Sequence, residues 1–133
     1  MKEILKKYSY ILVPSAISII SIIVQKNIYV QNMNMDTLIS IAGAFIGIMI
    51  TNLTLYVTFI TSNTNVNNII ESPHHKIFIN TINAGVIYFI LCILIWLFNL
   101  SNMIIISLFL MGLTNVVISL YYISKIARYI KKY

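Results

Sequence analysis

The sequence has few charged residues, and acidic ones are the rarest. Only 3 of its 133 residues are Asp or Glu, against 9 Lys or Arg. General acid–base catalysis depends on such side chains, and the sequence has no paired carboxylates, no Ser/His/Asp set and no Gly-rich phosphate loop. The adjacent His74 and His75, with Glu71 nearby, do not have the spacing of a metal site. We therefore expect no enzyme, no cofactor and no metal ion.

Charge is absent from three long stretches, which are 8–25, 37–70 and 77–124. A membrane-spanning helix needs about 20 mostly apolar residues. The third stretch is long enough for two helices, and Asn and Ser residues mark a turn at 98–102. We predict an all-α, single-domain membrane protein over 1–133, a bundle of four transmembrane helices at about 8–30, 37–60, 77–98 and 102–124. The one cysteine, Cys92, lies in the third span and forms no intrachain disulfide.

The basic residues predict the orientation of the chain. All but Lys26 fall on one side of this arrangement: Lys2, Lys6, Lys7, Lys76, Lys125, Arg128, Lys131 and Lys132. Basic residues favour the cytoplasmic side. Both termini and the 61–76 loop are therefore expected in the cytoplasm, with the chain in a bacterial inner membrane.

The fourth helix is expected to continue past the membrane as a basic amphipathic extension over 121–133. With the other cytoplasmic basic residues it forms a positive rim. One interpretation is that the rim sets the topology of the chain and is attracted to anionic lipid. That attraction is worth about 1 kcal/mol per basic residue near the surface. The other is docking of an anionic regulator, such as a nucleotide, an oligonucleotide or an acidic partner protein.

A row of small residues follows one face of the second span. Its members are spaced alternately by three and four positions, which keeps them on one side of a helix. They are Thr37, Ser40, Ala44, Gly47, Thr51, Thr54, Thr58 and Thr61. Small and hydroxyl residues in membrane helices form close helix contacts or face water. This small-residue row is therefore either a packing seam or the wall of a pore.

Weaker polar rows occur in the other spans. They are Pro14, Ser18, Ser21 and Gln25; Thr81, Gly85, Tyr88 and Cys92; and Gly112, Asn115, Ser119 and Tyr122. We expect these faces to pack together in a bundle. The positions predicted for close helix packing are Gly43, Ala44, Gly85 and Gly112.

Three amides, Asn52, Asn83 and Asn115, lie deep in the predicted spans. An unpaired amide in hydrocarbon costs several kcal/mol. We therefore expect them to face each other or water, either as an internal hydrogen-bonded layer or as a polar ring in a conduction path. No span has a charged residue at its middle, which disfavours a proton-coupled transporter.

A pore along the small-residue row is the favoured interpretation. In a symmetric homo-oligomer, with a tetramer favoured, it would be lined by Ser40, Gly47, Thr51, Thr54 and Thr58. Asn52 and Asn115 would form a polar layer near its inner mouth. Rotation of the helix would present Ile50, Leu53 or Val57 and close the pore by dewetting.

The segment 38–44, LISIAGA, opens this Thr-rich span. With the four-span pattern it resembles the RexB family of phage-exclusion membrane proteins, and more loosely the membrane effectors of the Kiwa and Hailong anti-phage systems. The likeness is residue-specific over about 38–60, and the middle loop is Asn-rich where RexB proteins have an Arg-rich one. The resemblance implies a gated channel that depolarises the host membrane in abortive defence.

Two other functions remain open from the sequence. A holin-like or immunity protein would disrupt or protect the membrane without a selective pore. A structural partner subunit would use the small-residue row only for packing against another membrane chain.

Overall fold

The computed structural model describes residues 7–27, 34–62, 70 and 72–130. Its main elements are four helices: α1 (Ser9–Asn27), α2 (Met35–Thr61), α3 (Pro73–Leu97) and α4 (Asn102–Ile130). The all-α prediction is confirmed. Four residues of the predicted basic rim, Lys2, Lys6, Lys131 and Lys132, lie outside the described residues, as do positions 28–30 of the first predicted span.

Within the described residues, three helices are long and apolar enough to cross a membrane. Their membrane-capable parts are Met35–Thr61, His74–Leu97 and Asn102–Arg128. The apolar part of α1, Ser9–Gln25, is shorter. The composition and these helices are those of a membrane protein, and a fourth span through α1 stays a prediction.

Polar side chains cap the N-termini of α2 and α3. The Asn34 side-chain oxygen accepts hydrogen bonds from the backbone N–H groups of Asp36 at 3.1 Å and Thr37 at 3.3 Å. The Ser72 hydroxyl accepts from the His75 N–H at 3.3 Å, with Pro73 at the first position of α3. These bonds satisfy N–H groups that have no partner inside a helix, so both starts are defined by the sequence.

The turn between α3 and α4 is a Schellman motif. Asn99 has a φ of 50°. Its N–H donates to the Trp96 carbonyl at 2.9 Å, and the Leu100 N–H donates to the Ile95 carbonyl at 3.1 Å. Asn tolerates the left-handed conformation that this turn requires. The break between the helices falls at 98–101, within the turn expected from the Asn and Ser cluster.

Contacts between helices show that they alternate in direction. Tyr10 in α1 accepts a 3.5 Å hydrogen bond from the Asn80 amide in α3. The hydroxyl of Tyr56 in α2 is hydrogen-bonded to His75 at the start of α3. The starts of α1 and α3 and the ends of α2 and α4 therefore lie at one end of the bundle. We call it the basic end, because it carries Lys7, Lys76, Lys125 and Arg128, all exposed.

The weaker polar rows face into the bundle, as expected. Most of their members are buried: Pro14, Ser21, Thr81, Gly85, Cys92, Gly112, Asn115, Ser119 and Tyr122. The close approach at Gly112 is tight, because a Cβ there would lie 2.7 Å from the Phe89 ring. That ring belongs to an aromatic cluster, with centroids 5.7 Å from Phe45 and 5.9 Å from Phe109. This Phe cluster joins α2, α3 and α4.

Candidate functional site

The small-residue row of α2 faces away from the rest of the chain. All eight of its positions, from Thr37 to Thr61, are exposed. The buried positions of α2 lie on its opposite side and are Leu38, Ala42, Met49, Asn52, Tyr56 and Ile60. The row is therefore not a packing seam within one chain, and the choice between a seam and a pore wall moves to what covers this face.

Five of the six hydroxyls of the row donate hydrogen bonds to their own helix. Those of Ser40, Thr51, Thr54 and Thr58 each donate to the backbone carbonyl four residues earlier, at 2.9–3.0 Å. Thr61 does the same at 3.0 Å. A hydroxyl that donates in this way has used its single proton, while the lone pairs of its oxygen remain free to accept hydrogen bonds. The face is therefore compatible with lipid or another chain, and it can also accept hydrogen bonds from water.

The four predicted packing positions fall into two groups. Gly85 and Gly112 are buried at close contacts between helices. Gly43 and Ala44 are exposed instead, and a Cβ added at Gly43, or at Gly47 one turn away, would have no described atom within 4 Å apart from its own stretch of helix. Within one chain, only the first group packs helices together. The second leaves a shallow strip on the outer face of α2, where the backbone can be closely approached.

The predicted gate residues flank the small-residue row. Ile50 and Val57 are 53% and 50% exposed. Leu53 is half-buried and packs against the core. Each of the three directly precedes a member of the row, so a rotation of α2 by about 100° would bring all three onto the line now held by the row.

The predicted pore-lining amides lie apart from the row. Asn52 and Asn115 are 8% and 0% exposed, inside the bundle. Asn83 is exposed on α3 and does not share their surroundings. The expectation that the three amides form one polar layer is therefore wrong, because Asn83 lies apart from the other two. The expectation that Asn52 and Asn115 line a pore together with the row is also wrong within one chain, because both are buried away from the row. The sequence pattern predicted that Asn52 lies in the second helix. It did not indicate that Asn52 is on the buried side of that helix.

The buried amides lack hydrogen-bond partners among the described residues. The unpartnered atoms are Nδ2 of Asn52 and both Nδ2 and Oδ1 of Asn115. Two nearby buried hydroxyls differ, because Thr81 donates to the Ile77 carbonyl at 2.7 Å and Ser119 to the Val116 carbonyl at 2.8 Å. The buried hydroxyl of Ser107, nearer the start of α4, also has no partner among the described residues. Asn115 is thus the one described side chain whose two buried polar atoms both lack a partner, and Asn52 lies one turn from it with a third.

The two histidines lie in the first turn of α3, where they join three helices. His75 Nδ1 is hydrogen-bonded to the Tyr56 hydroxyl of α2. The His74 ring lies 5.8 Å from the Tyr122 ring of α4. The sequence did not indicate either pairing, since the partners lie 19 and 48 positions away along the chain. Among the described residues there is no cluster of three or more His, Cys, Asp or Glu able to hold a metal.

Positive charge is concentrated at the basic end. Lys7 lies 5.6 Å above the Tyr8 ring, and Lys125 lies 5.3 Å above the Tyr121 ring. Asp36, the one acidic residue in the described ranges, is at the opposite end of the bundle. Lysines paired with tyrosines at a helix end are typical of the boundary between hydrocarbon and lipid headgroups.

The chain matches no family model, and comparisons with curated proteins and with solved structures also gave no match. The RexB-like pattern therefore stays a prediction.

Proposed function

We propose that the protein is a pore-forming membrane protein in which several copies surround an axis with the outer face of α2 toward it. The observation that carries this proposal is the outward direction of the small-residue row. Eight consecutive members of a 3/4 pattern, five of them Thr and one Ser, are exposed along a helix that is otherwise strongly apolar.

The other outer surfaces of the chain support the proposal by contrast. Exposed positions of α1 are large and aliphatic, and Ile19 and Ile20 are each 60% exposed. The outer face of α3 carries Ile87, Ile90 and Leu94 in the same way. Large aliphatic side chains suit lipid, whereas small and hydroxyl residues suit water or a close helix contact. A symmetric ring with α1 and α3 outward and α2 inward satisfies both surfaces.

Closure follows from the residues beside the row. Neighbouring positions on a helix differ by about 100° around its axis. A turn of that size replaces Thr51 by Ile50 and Thr58 by Val57 on the side facing the axis. Rings of aliphatic side chains then exclude water and close the pore by dewetting. The proposed regulator is an anion, a nucleotide or an oligonucleotide, attracted by the basic end.

Single-channel recording of the purified protein in planar bilayers tests the proposal. The test variant is Thr51→Val/Thr54→Val, which removes two hydroxyls of the row at nearly constant volume. The matched control is Thr114→Val, because its hydroxyl also bonds to a carbonyl of its own helix, Leu110, at 2.7 Å, but lies on α4. We expect uniform conductance steps that shrink in the test variant and are unchanged in the control.

Equal steps in all three proteins would contradict a pore along the row. Large lesions of uneven size would instead favour the holin-like alternative. A role in anti-phage defence is supported by the RexB-like pattern alone. Its test is whether phage infection depolarises cells carrying the wild type more strongly than cells carrying the Thr51→Val/Thr54→Val variant.

A second candidate function rests on the open strip at Gly43 and Gly47. Because no described atom outside the adjoining stretch of α2 lies within 4 Å of a Cβ added at either position, another membrane helix can approach the α2 backbone there. The protein would then be a partner subunit that packs against a different chain. It predicts no current from the chain alone and the appearance of current only when the second chain is added.

A further inference from the structure

The interior of the bundle has a defined level at Gly85. A Cβ on Gly85 would lie 2.4 Å from Cε of Met49 and 3.0 Å from Cβ of Asn115. The α2, α3 and α4 helices therefore meet at this point. One helical turn is three to four residues. One turn toward the basic end, the same three helices present Asn52, Thr81 and Ser119.

These two levels contain the buried polar side chains of the three helices between the Phe cluster and Tyr56. Thr81, Asn115 and Ser119 are 0% exposed and Asn52 is 8% exposed. The two hydroxyls donate to their own helices. Both polar atoms of the Asn115 amide and Nδ2 of Asn52 have no partner among the described residues. Each such group costs several kcal/mol where neither protein nor solvent bonds to it.

The surroundings of the amides differ on their two sides. Toward the Asp36 end, the Phe cluster lies one turn away, since Phe45 precedes Met49 by four residues and Phe89 follows Gly85 by four. Toward the basic end, the next groups are the buried Phe78 ring, 4.7 Å from the Tyr56 ring, the Tyr56–His75 hydrogen bond and the His74–Tyr122 ring pair. Aromatic rings therefore lie on both sides of the amides, but only toward the basic end do some of them carry hydroxyls and lie beside histidines, so only on that side do polar atoms connect the amides with the end of the bundle.

We propose that Asn52 and Asn115 hold internal water inside each chain, at a site that is entered from the basic end and closed by the Phe cluster. Water fits because it both donates and accepts, as the Nδ2 and Oδ1 atoms of one amide require. A cation does not fit, because an amide offers a single oxygen and no described carboxylate lies at this level. The site is separate from the outer face of α2 and stands whether or not that face lines a pore.

Water-edited solid-state NMR on the full chain in liposomes, with 15N-labelled asparagine, tests the proposal. The Asn52 and Asn115 side-chain signals are identified by their loss in Asn52→Leu and Asn115→Leu. We expect magnetisation from water to reach the wild-type Asn115 amide about as fast as it reaches the exposed Asn34. Transfer as slow as that into the backbone amide of Asn115 itself would overturn the proposal.

X-ray radiolytic footprinting of the wild type gives a second measurement that does not depend on those assignments. Hydroxyl radicals formed from bound water oxidise neighbouring side chains, and Met49 is beside the site although it is 0% exposed. We expect oxidation of Met49 in the wild type, its loss in Asn115→Leu and no change in Thr114→Val. An unoxidised wild-type Met49, or oxidation that persists in a folded Asn115→Leu protein, would overturn the proposal. A misfolded variant is recognised because exposure increases Met49 oxidation.

Discussion

Two glycine-to-alanine changes on different helices should have opposite effects on stability. Gly47 lies on the outer face of α2 with no described atom within 4 Å of an added Cβ. At Gly112 the same Cβ would lie 2.7 Å from the Phe89 ring. That ring is stacked on Phe45 at 5.7 Å and packed against Phe109 at 5.9 Å, so it has little room to move.

The size of the difference follows from this geometry. Alanine is favoured over glycine inside a helix by about 1 kcal/mol, and this gain is common to both sites. Gly112→Ala also overpacks the core, which costs about 1–3 kcal/mol. The two variants should therefore differ in free energy of unfolding by about that cost, or by about 4–12 °C in melting temperature for a chain of this size.

Thermal unfolding in a detergent that holds the chain as a single copy measures the difference, with the fluorescence of Trp96 as the signal. Gly47→Ala should melt at or above the wild-type temperature and Gly112→Ala below it. A destabilised Gly47→Ala protein would refute the outward direction of the small-residue row. A Gly47→Ile variant in lipid bilayers then separates folding from association. Its larger side chain should leave the folding of one chain unchanged and weaken the association of copies through the outer face of α2.

Three further predictions concern the fold. Gly85→Ala should cost less than Gly112→Ala in the same melting experiment, because the end of the Met49 side chain can move away from the added Cβ. Asn99→Val should lower the free energy of unfolding by about 1–2 kcal/mol because of its positive φ, while Asn99→Gly should be tolerated; equal melting of the two would contradict the turn geometry. Tyr56→Phe should cost about 1 kcal/mol by losing its bond to His75, and a double-mutant cycle with His75→Phe should show coupling of similar size.

Much of the architecture could be predicted from the sequence because membrane helices leave clear signals. Uncharged stretches long enough to cross a bilayer as helices indicated the apolar helices. The cluster of Asn and Ser residues at 98–102 indicated the turn between α3 and α4. The weaker rows of α3 and α4 correctly marked the sides that meet, since Gly85 and Gly112 both lie at close helix contacts.

The sequence was less informative about α2. Its pattern shows which residues share a face, but not whether that face meets the same chain. Thr51 and Asn52 are neighbours in the sequence, and one points outward while the other is buried. The bonds from Thr to the carbonyl four residues earlier are a local property of helices, so they could have been expected before the structure was known.

Those bonds also affect how a single copy of the chain fits into the membrane. A newly inserted chain meets lipid on every outer side, and an unbonded hydroxyl there would be costly. Because Ser40, Thr51, Thr54, Thr58 and Thr61 already donate to their own backbone, the outer face of α2 makes no such demand. A single copy is therefore compatible with lipid on this face, and in the proposed pore the rate at which single copies meet would set the timing of assembly.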